Sequence, residues 1–434
     1  MPSRDNIHVL VARYLRDNRY AETLKAFQEE IGLEDNMIPT DDSMTLESIV
    51  DHNRRMNLAQ DFAAISLEDD SEKWVVPHPQ FKTMLPAQMP ETNILFVTVA
   101  TLAMPSVVDD PTSPLYTRPC ILTTSADKSL RIFDFYTLDL LRKHTHLHLS
   151  PLLSLLIYKD NMLITGGMDG RLVISRADTG DIVHEVKDHL RFVVRIACSK
   201  DQRYIATAGY DQKVYVYEIV DTPATDEAPA KVELVKIGVL TFPSNPEALA
   251  FTDPDLDGGA YVDAQGARSP MLIVSRRDWT FIYYYKIQPT LTEYARHNLN
   301  PDSNSWVTFC AMDIVLDPSN PKYIAIATSA TPHMRFMMLE AGNDQIIKNV
   351  TTNAPQDAYS SGRICWRPHG SGVWCNGNDG VIRGIERSTG EVVAELKHHD
   401  GKVKAMYAGV VDGKEVLVTG GFDKTVVVWE TEKR

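Results

Sequence analysis

Residues 416–430 read VLVTGGFDKTVVVWE. Two runs rich in β-branched residues flank a Gly-Gly-Phe-Asp-Lys centre. That composition predicts a strand, a tight turn at Asp423 and a second strand. Three further segments align with it without gaps: ILTTSADKSLRIFD (121–134), LITGGMDGRLVISR (163–176) and YIATAGYDQKVYVYE (204–218). Their anchors are Asp127, Asp169 and Asp211, spaced 169 − 127 = 42 and 211 − 169 = 42. Weaker copies are LIVSRRDWTFIYYY (272–285), with Asp278, and GVWCNGNDGVIRGIE (372–386), whose Asp379 lies 423 − 379 = 44 before the last anchor. Self-similarity at such a period marks an array of units, none of which buries its own apolar face alone.

Strand, Asp turn and strand at this period resemble the WD-repeat blade of a β-propeller. The resemblance implies a buried hydrogen-bonded tetrad. In the last repeat His399, Thr419, Asp423 and Trp429 match it. The Asp accepts the imidazole proton, the His bonds the hydroxyl and the hydroxyl accepts the indole N–H, so each buried polar group is satisfied. The third repeat keeps His189, Thr207 and Asp211, with Tyr217 at the Trp place. The second keeps Thr165 and Asp169, with Ser175 there, and the first keeps Thr123 and Asp127, with Phe133. These His–Asp pairs read as scaffold, not as catalytic dyads.

The expected fold is mainly β, a seven-bladed propeller over residues 74–434. Its blades are expected near 92–142, 150–187, 188–221, 232–288, 305–346, 357–397 and 398–432. Blade five has no turn Asp, and Thr331-Pro332 interrupts it. A strand from 74–89 is expected to supply the outer edge of blade seven and close the ring. Two acidic or Gly/Pro-rich stretches, 221–233 and 252–270, read as mobile surface loops in the region of blade four.

Residues 1–35 read as two short helices. Ile7, Leu10, Val11, Tyr14 and Leu15 recur at helical spacing, with Arg13, Arg16 and Asp17 opposite. Tyr20, Leu24, Phe27 and Ile31 form a second stripe, and Gly32 suits a left-handed cap. Helices of about 12 residues need a partner surface for such stripes. Leu10-Val11, Tyr14-Leu15, Tyr20, Thr23-Leu24, Phe27 and Glu30 resemble the LisH motif, which implies self-association through Leu10, Tyr14, Leu15, Tyr20, Leu24 and Phe27. Arg19 stands where that family usually has Gly. Residues 36–73 read as a connecting helix, about 46–66, and a linker.

The chain has 434 residues, with 44 Lys+Arg and 58 Asp+Glu, a formal charge of 44 − 58 = −14. That balance argues against direct binding to nucleic acid or to an anionic membrane. Cys120, Cys198, Cys310, Cys365 and Cys375 form no Cys-x-x-Cys pair, so they read as reduced, buried thiols of an intracellular protein, cytoplasmic or nuclear. No long apolar run predicts a membrane span. No phosphate loop, dinucleotide fingerprint, zinc-protease motif or nucleophile elbow occurs. Cys365, His369 and Cys375 lack compact zinc spacing. His144, His146 and His148 alternate and read as one face of a solvated outer strand. The TDPDLDGG stretch lacks the calcium-loop Glu. No metal or cofactor is expected, and no catalysis.

In the resembled fold, the residue before each turn Asp faces one end of the propeller. Met168, Tyr210, Arg277 and Phe422, with Arg276 and Trp279, are expected to form a partner-binding arc there. The combination of LisH and WD repeats implies a dimeric, non-catalytic scaffold for partner proteins. Relatives with this arrangement include a lissencephaly-type regulator of a microtubule motor and subunits of ubiquitin-ligase and chromatin-corepressor complexes. The reading from a different class is a propeller enzyme, whose signature is a carboxylate or His cluster in the central channel. The sequence shows none.

Overall fold

The computed structural model describes residues 4–34, 38, 73–85, 89, 91–106, 113–159, 161–222, 231–252, 269–300, 309–343 and 345–433. They belong to two compact units, an N-terminal helical one and a β unit.

In the helical unit, helices span Arg4–Asp17 and Ala21–Ile31. The His8 ring meets Phe27 edge-on at 6.0 Å, and Tyr14 lies 6.4 Å from Tyr20. Arg19 holds φ 61, the left-handed turn where the motif's usual glycine is free of strain. Gly32, at φ 68, caps the second helix and donates to the Gln28 carbonyl. No residue of that helix is buried, and Tyr20 is 51% exposed. Leu10, Tyr14, Leu15, Leu24 and Phe27 are half-buried. Arg13, expected on the polar side, is instead buried, with its Nε 3.5 Å from Asp17. The expected helix near 46–66 lies outside the described residues.

The β unit is a ring of seven four-stranded antiparallel sheets. Six are built from consecutive strands, over 94–144, 152–186, 193–241, 246–298, 311–355 and 364–397. The seventh joins strands within 403–430 to Phe81–Met84, with Met84 opposite Val427 and Phe81 opposite Glu430. That strand closes the ring, as expected. Blade boundaries differ from the sequence reading: the outer strands of blades four and five, Thr292–Asn298 and Ile346–Pro355, extend beyond the expected ends at 288 and 346. The strand Lys231–Thr241 is the outer strand of blade three, pairing with Lys213–Thr222, and does not open blade four. The 221–233 stretch therefore joins two strands of blade three. Its residues 223–230, and 253–268 of the second stretch with its calcium-like motif, lie outside the described residues.

Alternating side chains on each sheet pack against the next blade. Val97, Ile121 and Phe133 of blade one meet Val418 and Val428 of blade seven. Trp374 and Ile382 of blade six meet Leu417, Val427 and Trp429 of blade seven. Each such side chain contributes about 1.5–3 kcal/mol by leaving water.

The segment before the closing strand is anchored as well. Trp74 packs edge-on against Trp374 at 5.1 Å, over Gly372 and Gly384, where an added Cβ would stand 2.7 and 2.4 Å from the indole. The fully buried Arg367 lies 4.1 Å over the Trp74 ring, donates to the Val75 carbonyl at 2.7 Å and is bidentate to Glu415.

Candidate functional site

Register decides which features share an end of the ring. Val193, which opens the innermost strand of blade three, pairs with Gly209, two residues before the turn Asp211. Val403 pairs with Gly421 in the same way. The Asp turns, the connections between blades and the starts of the innermost strands therefore lie together at one end, the turn end.

Five of the turns there, at Asp127, Asp169, Asp211, Asp379 and Asp423, are locked by their carboxylates. In blade seven His399 Nδ1 stands 3.0 Å from Asp423, its Nε2 2.8 Å from Thr419 Oγ1, and Trp429 Nε1 donates to that hydroxyl at 3.0 Å. In blade three His189 joins Asp211 and Thr207, both at 2.9 Å. Tyr217, at the Trp place, donates its hydroxyl to Asp188 at 3.0 Å. Burial draws both histidines below the usual imidazole range, although their carboxylate partners pull the other way.

Blade two corrects the sequence reading. The strand ends at His144, so His144, His146 and His148 do not share a strand face. His148 is buried and completes the set, 3.0 Å from Asp169 and 2.9 Å from Thr165. His144 and His146 bond the carbonyls of Ala177 and Gly180. In blades one and six an arginine replaces the histidine. Arg131 holds Asp127 at 2.8 Å and Arg383 holds Asp379 at 2.6 Å. Burial would raise both carboxylates, but these guanidinium bonds bring them well below the ordinary range. Thr123 and Ser175 have buried hydroxyls with no hydrogen-bond partner among the described residues. Gly170 and Gly380 sit in turns at positive φ, where a Cβ would stand 2.3 and 2.1 Å from the His189 and His399 carbonyls of the adjoining connection.

The expected arc is only partly assembled. Arg277 donates to the Tyr210 hydroxyl at 3.5 Å and to Glu247 at 2.6 Å, and Phe192 lies 6.2 Å from the Tyr210 ring. Phe422 is 41% exposed and Met168 half-buried, and neither meets this group among the described contacts. Arg276 is buried rather than exposed, 4.3 Å over the Trp279 ring, which stacks on Phe281. Sequence reasoning missed three strongly exposed apolar groups at this end: Leu149, Leu190 and Tyr359, at 70, 82 and 91%. All lie on blade-to-blade connections. Leu149 and Leu190 directly follow the locking histidines, and their N–H groups donate to Asp169 and Asp211. The backbone is fixed by that bond, which leaves the side chain outside. The Leu one place after His148 and after His189 was the available signal; His399 is followed by Asp400 instead.

A family model described as the UCP007778 beta-propeller domain matches residues 114–430, well over half of the chain, and the corresponding LisH domain matches residues 5–33. The chain belongs to the UCP007778 family. No curated protein matches it.

In this UCP007778 propeller the turn end also carries a charged channel mouth, which the sequence reading did not foresee. Arg195 of blade three donates to the Met312 carbonyl at 3.1 Å and stands 3.9 Å from Asp313, both in blade five. Blades three and five are not neighbours, so these groups meet at the ring axis. Arg363 of blade six stands 3.7 Å from Asp313, which also accepts from the Ile364 N–H. Lys404 of blade seven donates to Ser361 at 3.0 Å and has no carboxylate within 4.0 Å among the described residues. Burial, then the field of Arg195, draws its ammonium down to about 8. Burial raises Glu247 and Asp313 despite their arginine neighbours. Among the described residues no group of three or more His, Cys, Asp or Glu is placed to hold a metal ion. No described helix is long and apolar enough to cross a membrane.

Proposed function

We propose that this chain is a WD-repeat scaffold that works without catalysis, recruiting a protein partner on the turn end of its propeller and pairing with a second copy through its N-terminal helices. The observation that carries the reading is the exposure of Leu149, Leu190, Phe192, Tyr359 and Phe422 on one end of one ring. Exposed apolar and aromatic side chains gathered at one end of a fold are the usual anchors of protein interfaces. The absence of catalysis is supported by the state of the reactive groups. Glu247 and Asp313 are engaged by arginines, and burial pushes Cys120, Cys198 and Cys375 up to about 12, so they stay protonated and unreactive at neutral pH. Pairing is supported by the unburied stripe of the second helix. Two copies would give each partner contact an intramolecular second chance. The assembly we envisage is intracellular, cytoplasmic or nuclear, and needs no cofactor.

Two experiments test the proposal. Affinity purification with mass spectrometry should recover one coherent set of proteins with the wild type and lose it with Leu190→Ser, Phe422→Ser. An unchanged set would refute the turn-end reading. Light scattering on the full chain should show the mass falling about twofold in Leu10→Asp, Leu24→Asp. Equal masses would refute pairing.

A further inference from the structure

The channel mouth is electrostatically unbalanced. Four cations, Arg195, Arg277, Arg363 and Lys404, face two carboxylates, Glu247 and Asp313. They come from five consecutive blades and act on one another across the axis: Lys404 feels Arg195, Arg277, Glu247 and Asp313. Bringing like charges together at a half-buried site is costly unless something else meets them there. Two of these groups are incompletely served. Lys404 has a hydroxyl as its partner, and the buried Nε of Arg195 has no hydrogen-bond partner among the described residues. The whole chain carries −14, so a local excess of cations is the exception on this molecule.

We propose that this mouth binds a carboxylate, presented by an acidic segment of a partner polypeptide, with Lys404, Arg195 and Arg363 as its donors. The inference rests on the turn-end reading above and supplies the chemistry of the partner. Charge-assisted hydrogen bonds from guanidinium and ammonium groups are the strong ones, and partial burial strengthens them further. Phe192 and Tyr210 stand beside Arg277, so a peptide entering the mouth meets aromatic surface next to the charges.

The test uses full-length protein and a fluorescein-labelled hexaglutamate amide, with the hexaglutamine peptide as its uncharged counterpart. Fluorescence anisotropy should show hexaglutamate binding about tenfold or more tightly than hexaglutamine. Lys404→Met should weaken hexaglutamate about tenfold or more while remaining folded by thermal melt, and Lys414→Gln, a charge loss at the opposite end, should change it less than about twofold. Equal binding of the two peptides, or an unchanged affinity in Lys404→Met, overturns the proposal. So does displacement by inorganic phosphate but not by acetate at equal ionic strength, which would assign the mouth to phosphate. If hexaglutamate fails while the Leu190→Ser, Phe422→Ser variant still loses its protein set, the carboxylate assignment fails alone. If that set is unchanged, the turn-end reading itself fails.

Discussion

Lys404 illustrates how one side chain can be a burden on the fold that carries it. Its ammonium is half-buried among Arg195 and Arg277, and its pKa falls to about 8. A lysine lowered on folding costs stability wherever the unfolded chain is protonated and the folded one resists it. That cost is fully present below about pH 8 and fades as pH rises toward the unfolded value of about 10.4. Lys404→Met should therefore raise the midpoint of thermal unfolding at pH 7 by a few degrees, measured by calorimetry. Thr419 behaves in the opposite sense. Its hydroxyl serves both His399 and Trp429, so Thr419→Val strands two buried groups. The expected loss is about 1–3 kcal/mol in denaturant unfolding, with little change in m-value.

At the scale of elements, the closing strand depends on what precedes it. Trp74 fills a bed that glycines at 372 and 384 leave open, under the Arg367–Glu415 pair. Trp74→Ala should cost about 2–4 kcal/mol and expose the Phe81–Met84 strand to protease before the other blades open, as limited proteolysis would show. The blades differ in how plainly their residues declared them. Turns at Asp127, Asp169, Asp211 and Asp423 were legible because a tight turn restricts residue type. The outer strand Lys231–Thr241 was misplaced because an acidic stretch separates it from its partner, and outer strands have weak apolar patterning. His148 was misread because alternation suggests a strand where the chain had already left the sheet. The channel charges were illegible for another reason. Arg195, Asp313, Arg363 and Lys404 each lie at or near the start of a different innermost strand, and only closure of the ring makes them neighbours.

For the whole molecule, acidity should be the first stress to matter. The displaced histidines, His78, His144, His189 and His399, are all lowered, each chiefly by burial. For a lowered histidine the unfolded state binds protons first, so its contribution is intact above about pH 6.5 and lost as pH falls through and below that value. The lowered turn carboxylates Asp169 and Asp423 add a second loss only below about pH 4. Thermal melts should hold steady from pH 8 to about 6.5 and then decline, well before carboxylates titrate. A flat profile down to pH 4.5 would contradict the neutral, buried state of these rings.

Ring closure also sets a clock on biosynthesis. Met84 pairs with Val427, so 427 − 84 = 343 residues must follow the closing strand before its mate exists. A ribosome adding about 5–20 residues per second leaves that edge unmated for tens of seconds. Throughout that interval a short β-strand edge is available to any neighbouring nascent chain. Cells making this protein therefore face their greatest risk of cross-chain mispairing while the molecule is still being translated, and slowing the ribosome along the last blades would lengthen the exposure.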